Sequence, residues 1–537
     1  MHLGWTRTRF QGFTRPAKWL DLAAAVCTVT TRSKEHSSAA ACSPVAPLAE
    51  QRLARFPSSG FDPHVTKAAV VGSGPNGLAA AIVLARSGVE VTVLETDSKP
   101  GGGLRSAELT LPGVLHDEGS AFHPMGQLSP FFASLDLARH GLRWSWPEID
   151  LAHPLDDGRV AILSREPGRT AASLGADGRR WRRLFDPLIA NAELIAEDVF
   201  QPVLHRPRHF GPFVKFATAA ALPASTFVRQ FDDEPAKALF MGCAAHSFAR
   251  LDRPLTASVG LLLAMAGEAV GWPVAEGGSQ AIARALVREL EGLGVKVLTG
   301  CEVSEFAQVA EYFDGPVDLV MLDTSVEAAL RISEGRLSPH VQRGLTRFQY
   351  GPAAFKLDLA IDGPVPWTNP QAARAGTVHL GGTGEQIAAA ERSCVAGEMP
   401  DSPFVLVGQQ HLADPGRANG SITPLWTYAH VPHGYRGDVS GAIMRQLERF
   451  APGISEQVVA TAVRGPQQFH ERNANYVGGD IGSGANNMRQ LIFRPRFATN
   501  PYRLAERLYL CSAATAPGAG VHGMCGRNAA ESALRDL

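Results

Sequence analysis

Residues 67–95, KAAVVGSGPNGLAAAIVLARSGVEVTVLE, constrain this 537-residue chain more tightly than any other stretch. A β-branched run ending in Val70 and Val71 enters Gly72-Ser73-Gly74-Pro75-Asn76-Gly77. An alanine-rich helical pattern follows, Ser87-Gly88 breaks it, and a second β-branched run from Val89 ends on Glu95. Strand, glycine turn, helix, strand and acid, in that order, make a dinucleotide-binding unit. Gly72 permits the tight turn, Gly74 lets backbone approach a pyrophosphate, and Gly77 lets the helix lie close on the strand. Ser73 and Asn76 complete the turn, and the helix N-terminus turns unpaired N–H groups and the positive end of its dipole towards phosphate. Glu95 stands 21 residues after Gly74, where a carboxylate can accept hydrogen bonds from ribose hydroxyls.

The length allows two or three domain-sized units around a large core. Apolar residues make up 45% and charged residues 19% of the chain, a globular balance. The net charge of −1, with no long basic stripe, excludes field-driven attraction to nucleic acid. The seven cysteines are scattered, with neither CxxC nor zinc-ligand spacing. That usage suits a reducing compartment and packed thiols.

Residues 1–63 read as an extension, basic and acid-poor at first, then rich in Ser, Ala and Pro. A disordered or mis-started extension is the favoured reading. A transit peptide to the mitochondrial matrix is the alternative to a cytoplasmic protein. The dinucleotide-binding domain is expected from 64–140, 274–335 and 500–537, interleaved with an α+β substrate-binding domain from 141–273 and 336–499. Within the latter, LTASVGLLLAMAGEAVGWPV (255–274) is nearly long enough to span a bilayer, but Glu268, its glycines and Pro273 oppose that. A buried helix lining an apolar cavity is expected, and peripheral contact with a membrane surface stays open. Residues 276–306 read as a helix from near Ser279 and strands on either side of Gly300; VDLVMLDT (317–324) reads as a buried strand ending at Asp323.

Two further glycine segments carry chemistry. PGGGLRSAEL (100–109) follows Glu95 closely, and its Gly102, Gly103 and Leu104 bring backbone, and Arg105 a guanidinium, towards a phosphorylated ligand. Near the C-terminus, RLYLCSAATAPGAGVHGMCGRNAAESAL (507–534) reads as strand, glycine loop and helix. Its Gly518-Ala519-Gly520-Val521-His522-Gly523 loop would set N–H groups and a helix N-terminus against a redox ring.

VGSGPNGLAAAIVLARSGVEVTVLE, GGGLRS, HDEGSAFHP, GGDIGSGANNMRQLIFRP and LYLCSAATAPGAGVHGMCGRNAA together resemble the phytoene desaturase-related FAD-dependent oxidoreductases. The nearest branch is that of the pyridine nucleotide-disulfide oxidoreductase domain-containing proteins and their bacterial relatives. The resemblance implies an α/β fold with an FAD-binding Rossmann-like domain of the glutathione reductase and amine oxidase type. It implies FAD as cofactor, with Gly72, Gly74 and Gly77 at the diphosphate, Glu95 at the adenosine ribose and Arg105 at the diphosphate or ribityl side. Val303 would meet the adenine through its backbone, Gly520, Val521 and Gly523 would face the isoalloxazine, and Gly518 is a further cofactor-binding candidate. The disulfide chemistry in the branch name finds no support: no dithiol follows the first glycine motif, and no second nucleotide unit appears mid-chain.

Lys356, in GPAAFKLDLAIDGPVPW, resembles the lysine that amine oxidases place beside the flavin, and is the candidate catalytic residue. Among Phe355, Leu357 and Leu359 it either finds a buried partner or snorkels from a half-exposed strand. His430 and His433 have HxxH spacing without a visible third ligand, so no metal is expected. His123 and His522 flank the glycine segments. The expected activity is hydride abstraction from a small, largely apolar, polyene- or lipid-like substrate, with oxygen or quinone as electron acceptor. A flavin amine oxidase and a flavoprotein with a binding or regulatory role are the alternatives, and the oligomeric state is left open.

Overall fold

The structure, a computed structural model, describes residues 66–537; the extension expected over 1–63 lies outside the described residues. The described residues run from β1 (Lys67–Val71), α1 (Pro75–Arg86) and β2 (Glu90–Glu95) to β3 (Ile149–Pro154) and β4 (Val160–Leu163). Helices α2 (Phe210–Ala220), α3 (Glu234–Ala245), α4 (Ala257–Ala269) and α5 (Gln280–Gly292) follow. Next come β5 (Lys296–Thr299), β6 (Leu319–Leu322), β7 (Ala353–Asp362), β8 (Ala375–Leu380), α6 (Gly384–Ala396), β9 (Val405–Gly408) and β10 (Ile422–Val431). The last long elements are α7 (Ser440–Phe450), β11 (Val458–Arg464), β12 (Arg503–Ala505), β13 (Leu508–Leu510) and α8 (Met524–Asp536).

The first sheet has six strands in the order β12-β13-β6-β1-β2-β5. Its central pairs are parallel, with Val71 opposite both Leu94 and Leu322. Such strands are covered on both faces, which is why they read as unbroken apolar runs. Ala68, Val70, Val91, Val93 and Met321 face α1, α5 and α8. Ala69, Val71, Leu94 and Val320 face a second cluster built around Val326 and Ile332. The sheet therefore draws on residues 67–95, 296–322 and 503–510.

The second sheet has seven strands in the order β11-β7-β10-β9-β8-β3-β4, all neighbours antiparallel except β8 and β3. Alternation along each strand divides its side chains. Phe355, Leu357 and Leu359 pack under Ile443 and Leu447 of α7. The opposite face carries Ala354, Trp426, Tyr428 and Leu406 into the cluster that α3 and α4 share with the first sheet.

One sequence expectation changes here and one is sharpened. No strand follows Gly300; β5 ends at Thr299 and the chain runs on without regular structure through Val303. The apolar run 255–274 forms the 13-residue α4, which packs closely on its neighbours. A Cβ on Gly260 would stand 2.9 Å from Phe240 Cζ of α3, and one on Gly267 would meet Leu163 of β4. Glu268 is tied down by Trp181 Nε1, which donates to it at 2.6 Å, and burial pushes its carboxyl up to about 7. Among the described residues no helix is long and apolar enough to cross a membrane.

Candidate dinucleotide site

The glycine turn sits where β1, β2 and β6 end together. Gly72 has φ +99°, its N–H donates to Leu94 O at 2.7 Å, and a Cβ there would stand 2.6 Å from Asp323 O. A Cβ on Gly77 would collide with Gly72 O, so both positions require glycine. Ser73 donates to Glu95 Oε2 through its N–H, at 2.9 Å, and through its hydroxyl. Asp97 N–H donates to Glu95 Oε1 at 2.9 Å. A carboxylate has about four lone-pair sites, so Glu95 keeps acceptor capacity for hydroxyl donors.

Asp323 is the residue sequence reasoning passed over. Its Oδ2 accepts from Gly77 N–H at 2.9 Å, placing a carboxylate on the first turn of α1. Burial pushes its carboxyl up to about 7; the Gly77 bond opposes this and the charge of Glu95 reinforces it. The one sequence signal was its place at the end of a buried strand. The partner lies 246 positions away.

The second glycine segment closes on the first. Gly101 N–H donates to Ser73 O at 3.0 Å, and a Cβ on Gly102 would stand 3.0 Å from Gly74 Cα. Leu104 is fully buried behind the turn. Arg105, 5% exposed, reaches back to Glu95 and Asp97, with Nη2–Oε1 3.7 Å and Nη1–Oδ2 3.3 Å. Its Nε is buried without a partner. Arg464 and Arg472 come to the same corner from the second sheet and the segment after it, both pairing with Glu118. Arg472 also pairs with Asp97. With Gly103, Asn473 and Tyr476 these arginines line a small cleft. No local pattern in the sequence marked Arg464 or Arg472. Val303 is buried just past Cys301, whose N–H donates to Glu95 O at 2.8 Å, so it lies at the end of β2.

The C-terminal loop joins from the other side. A Cβ on Gly526 of α8 would collide with Asn76 O, so α8 lies directly on α1. Gly518 O accepts from Cys525 Sγ at 3.3 Å; Cys525 is a packed thiol whose pKa burial pushes up to about 12. Gly520 abuts the His522 ring, Val521 O lies against Gly126, and Gly523 precedes α8 beside Phe131. His522 Nδ1 accepts from Met524 N–H at 3.0 Å, and its carbonyl accepts from Ser129 Oγ at 2.6 Å. His123 Nε2 is 2.9 Å from Ser279 Oγ. Burial lowers both imidazoles to about 4, so they are neutral at pH 7.

Lys356 is 1% exposed, so the half-exposed alternative falls. Its ammonium pairs with Asp358, whose other oxygen is 3.4 Å from His116 Nδ1. Burial lowers the lysine's pKa and Asp358 opposes the shift. Lys356 lies opposite Arg464 in the sheet register, and Arg464 reaches Glu118, whose N–H donates to Arg105 O at 2.8 Å. The candidate lysine is thus joined to the arginine corner through Arg464 and Glu118. Beside it a fully buried Arg417 pairs with Asp117 at 2.5 Å and Asp414 at 3.0 Å, tying the HDEG segment to the second sheet. His430 and His433 do not converge: Nδ1 of His430 is 2.6 Å from Glu391 Oε1, and Nδ1 of His433 is 2.9 Å from Gly351 O. Among the described residues no group of three or more His, Cys, Asp or Glu is arranged to hold a metal ion.

A glycine turn closed by backbone, an acid with acceptor capacity and a buried guanidinium nitrogen without a partner fit a dinucleotide. The first sheet with its glycine turn has the architecture of a Rossmann-like dinucleotide-binding domain, set beside a second, mostly antiparallel sheet. Residues 70–135 match the NAD(P)-binding Rossmann-like domain family. Over nearly its whole length the chain is similar to pyridine nucleotide-disulfide oxidoreductase domain-containing protein 2 of Rattus norvegicus, 26% identical across 88% of this chain and 93% of that one. An uncharacterised protein of Mycobacterium tuberculosis is also 26% identical, across 87% and 97%. Hydroxyneurosporene desaturase of Cereibacter sphaeroides is 29% identical across 56% and 59%. Among solved structures, an oxidoreductase from Methanosarcina mazei superposes with a TM-score of 0.54 at 15% identity, covering 88% of this chain and all of that one. Putrescine oxidase bound to putrescine gives 0.55 at 16% identity, covering 88% and 98%. These structures share the fold. The relatives bear out the resemblance to phytoene desaturase-related oxidoreductases and the α/β class.

Proposed function

We propose that the chain is an FAD-dependent oxidoreductase that takes hydride from a largely apolar, polyene- or lipid-like substrate. The observation that carries the cofactor is the convergence of three glycine segments, around Gly74, Gly102 and Gly526, on one turn beside Glu95 and Arg105. Gly72, Ser73, Gly74, Asn76 and Gly77 would hold the diphosphate with Arg105, Glu95 the ribose and Val303 the adenine. Gly102, Gly103 and Leu104 would carry backbone along the cofactor, and the loop from Gly518 to Gly523 would border its ring. Bound FAD supplies a ring that accepts hydride; the protein positions the substrate and keeps water out. An apolar substrate is supported by similarity to a hydroxyneurosporene desaturase and by α3 and α4, which cover one face of the second sheet. Oxygen or a quinone would then take the electrons.

One observation favours an amine instead: Lys356 is buried on that same sheet face with a single carboxylate partner. Absorbance of the purified protein, followed by anaerobic mixing with polyenes and with amines, separates the readings. Bleaching of a bound flavin by a polyene supports the first and bleaching by an amine the second. Protein that neither retains nor takes up flavin overturns both, and bound flavin inert to every donor leaves a binding role. Lys356→Met should slow reduction by an amine at least about tenfold, the scale of a lost proton-transfer or positioning contact; an unchanged rate removes the amine reading.

A further inference from the structure

Exposed large apolar side chains concentrate in one short stretch. Leu204 is 69% and Phe210 60% exposed, with Val203, Val214 and Leu222 around them. The 22 residues from Gln201 to Leu222 contain no Asp or Glu, yet carry Arg206, Arg208 and Lys215 in a chain of net charge −1. This surface is built. The buried Asp198 carboxylate accepts from the N–H groups of Arg208 and His209 at 2.8 and 2.9 Å and faces His205 Nε2 at 3.1 Å. The His205 ring stands 5.5 Å from Phe213. The loop is thereby clasped beside the first turn of α2. Phe216 and Ala220 bury the other side of that helix. Phe210 and Val214, four residues apart, share the outward face. A second acid at this edge, Glu197, is engaged by His209 at 3.0 Å and Arg208 at 3.9 Å.

We propose that the segment 203–222 docks the protein on an anionic lipid surface, with Leu204, Phe210 and Val214 entering the acyl boundary and Arg206, Arg208 and Lys215 meeting the headgroups. An apolar face carried by a stretch with three basic residues and no acid of its own suits that interface. Charge argues against a second copy as occupant, because a two-fold interface would set the three basic side chains against their own duplicates. Phe200, three residues before the segment, abuts the C-terminal loop and α8: its ring lies 4.9 Å from His522, and Asn528 Nδ2 donates to Phe200 O at 2.9 Å. Docking stands independently of the flavin chemistry, since it concerns this surface alone.

Flotation of the full chain with phosphatidylcholine vesicles, with and without phosphatidylglycerol, tests it. The protein should float with the phosphatidylglycerol vesicles, less at high salt. Leu204→Ser with Phe210→Ser should weaken binding at least about tenfold, and Arg206→Ser or Lys215→Ser about fivefold each. All four side chains are exposed, so thermal unfolding of each variant should match the parent; if the apolar pair unfolds early, the basic variants decide. A parent that stays unbound, or variants that float like it, overturn the proposal. So does sedimentation showing a dimer that the Leu204→Ser and Phe210→Ser pair converts to monomer.

Discussion

At the residue scale, Asp323 carries the sharpest consequence. Its carboxyl titrates near 7 in the fold, against 3.8 for a free aspartate, because burial disfavours its charge. A group whose native pKa is raised contributes most below its unfolded value. The fold therefore loses stability as pH rises from about 4 to about 7 through this residue. Asp323→Asn keeps an oxygen for the Gly77 N–H and removes the charge. Thermal unfolding at pH 5 and pH 8 should show the variant gaining about 2 kcal/mol more at pH 8 than at pH 5; an equal change at both would contradict the assignment. Charge at this point also opposes a diphosphate, so the same variant should retain flavin at least as well as the parent at pH 8, read by flavin fluorescence in the filtrate.

At the element scale, two contacts hold the site together. Helices α1 and α8 touch where Gly526 meets Asn76 O. Gly526→Val drives a branched side chain into backbone that belongs to the glycine turn. The expected loss is about 1–3 kcal/mol, together with weaker flavin retention; denaturant midpoints matching the parent would show that the helices part freely. The second contact is Arg417, fully buried between Asp117 and Asp414. Asp117 also accepts from Ser279 N–H and Ser106 Oγ, each at 2.7 Å, so one carboxylate links the Arg105 segment, α5 and the second sheet. Arg417→Ala leaves that charge uncompensated and should cost about 3–5 kcal/mol in equilibrium unfolding. A loss below about 1 kcal/mol, the range of an exposed pair, would mean the site opens to water.

Across the whole molecule, buried imidazoles set the acid limit. Burial lowers His123, His153 and His522 to about 4 and His246 to about 3. The unfolded chain takes up protons near 6.5, which the fold refuses. Stability therefore falls as pH drops from about 6.5 to about 4, by up to about 3 kcal/mol per ring at the lower end. These four rings outweigh the opposite contribution of Asp323. Denaturant midpoints followed from neutral pH down to the acid end of that window should fall throughout, and a flat profile would show these rings to be solvated.

The β1–α1–β2 unit was legible because its evidence is local. Turn glycines, apolar strands and a terminal acid lie within 29 residues, and parallel strands buried on both faces leave an unbroken apolar run. β6 and β13 showed for the same reason, and β7, antiparallel to both its neighbours, showed by the alternation in FKLDLAI. The strand expected after Gly300 failed because 301–306 holds a single β-branched residue, Val303, and the Cys301 N–H goes back to Glu95 O at the end of β2. Lys356 shows the limit at a single residue. Its apolar neighbours implied a cost of burial, but whether it snorkelled or found a partner depended on the register of the sheet around it. The turn, its acid and the order of its strands were thus determined by the sequence alone, since backbone conformation and period act between near neighbours. Asp323 on the helix terminus, the arginines around Gly103 and the apolar face at Phe210 were decided only by the tertiary structure. Each depends on which groups hundreds of residues apart share a low-dielectric interior, or are left outside it.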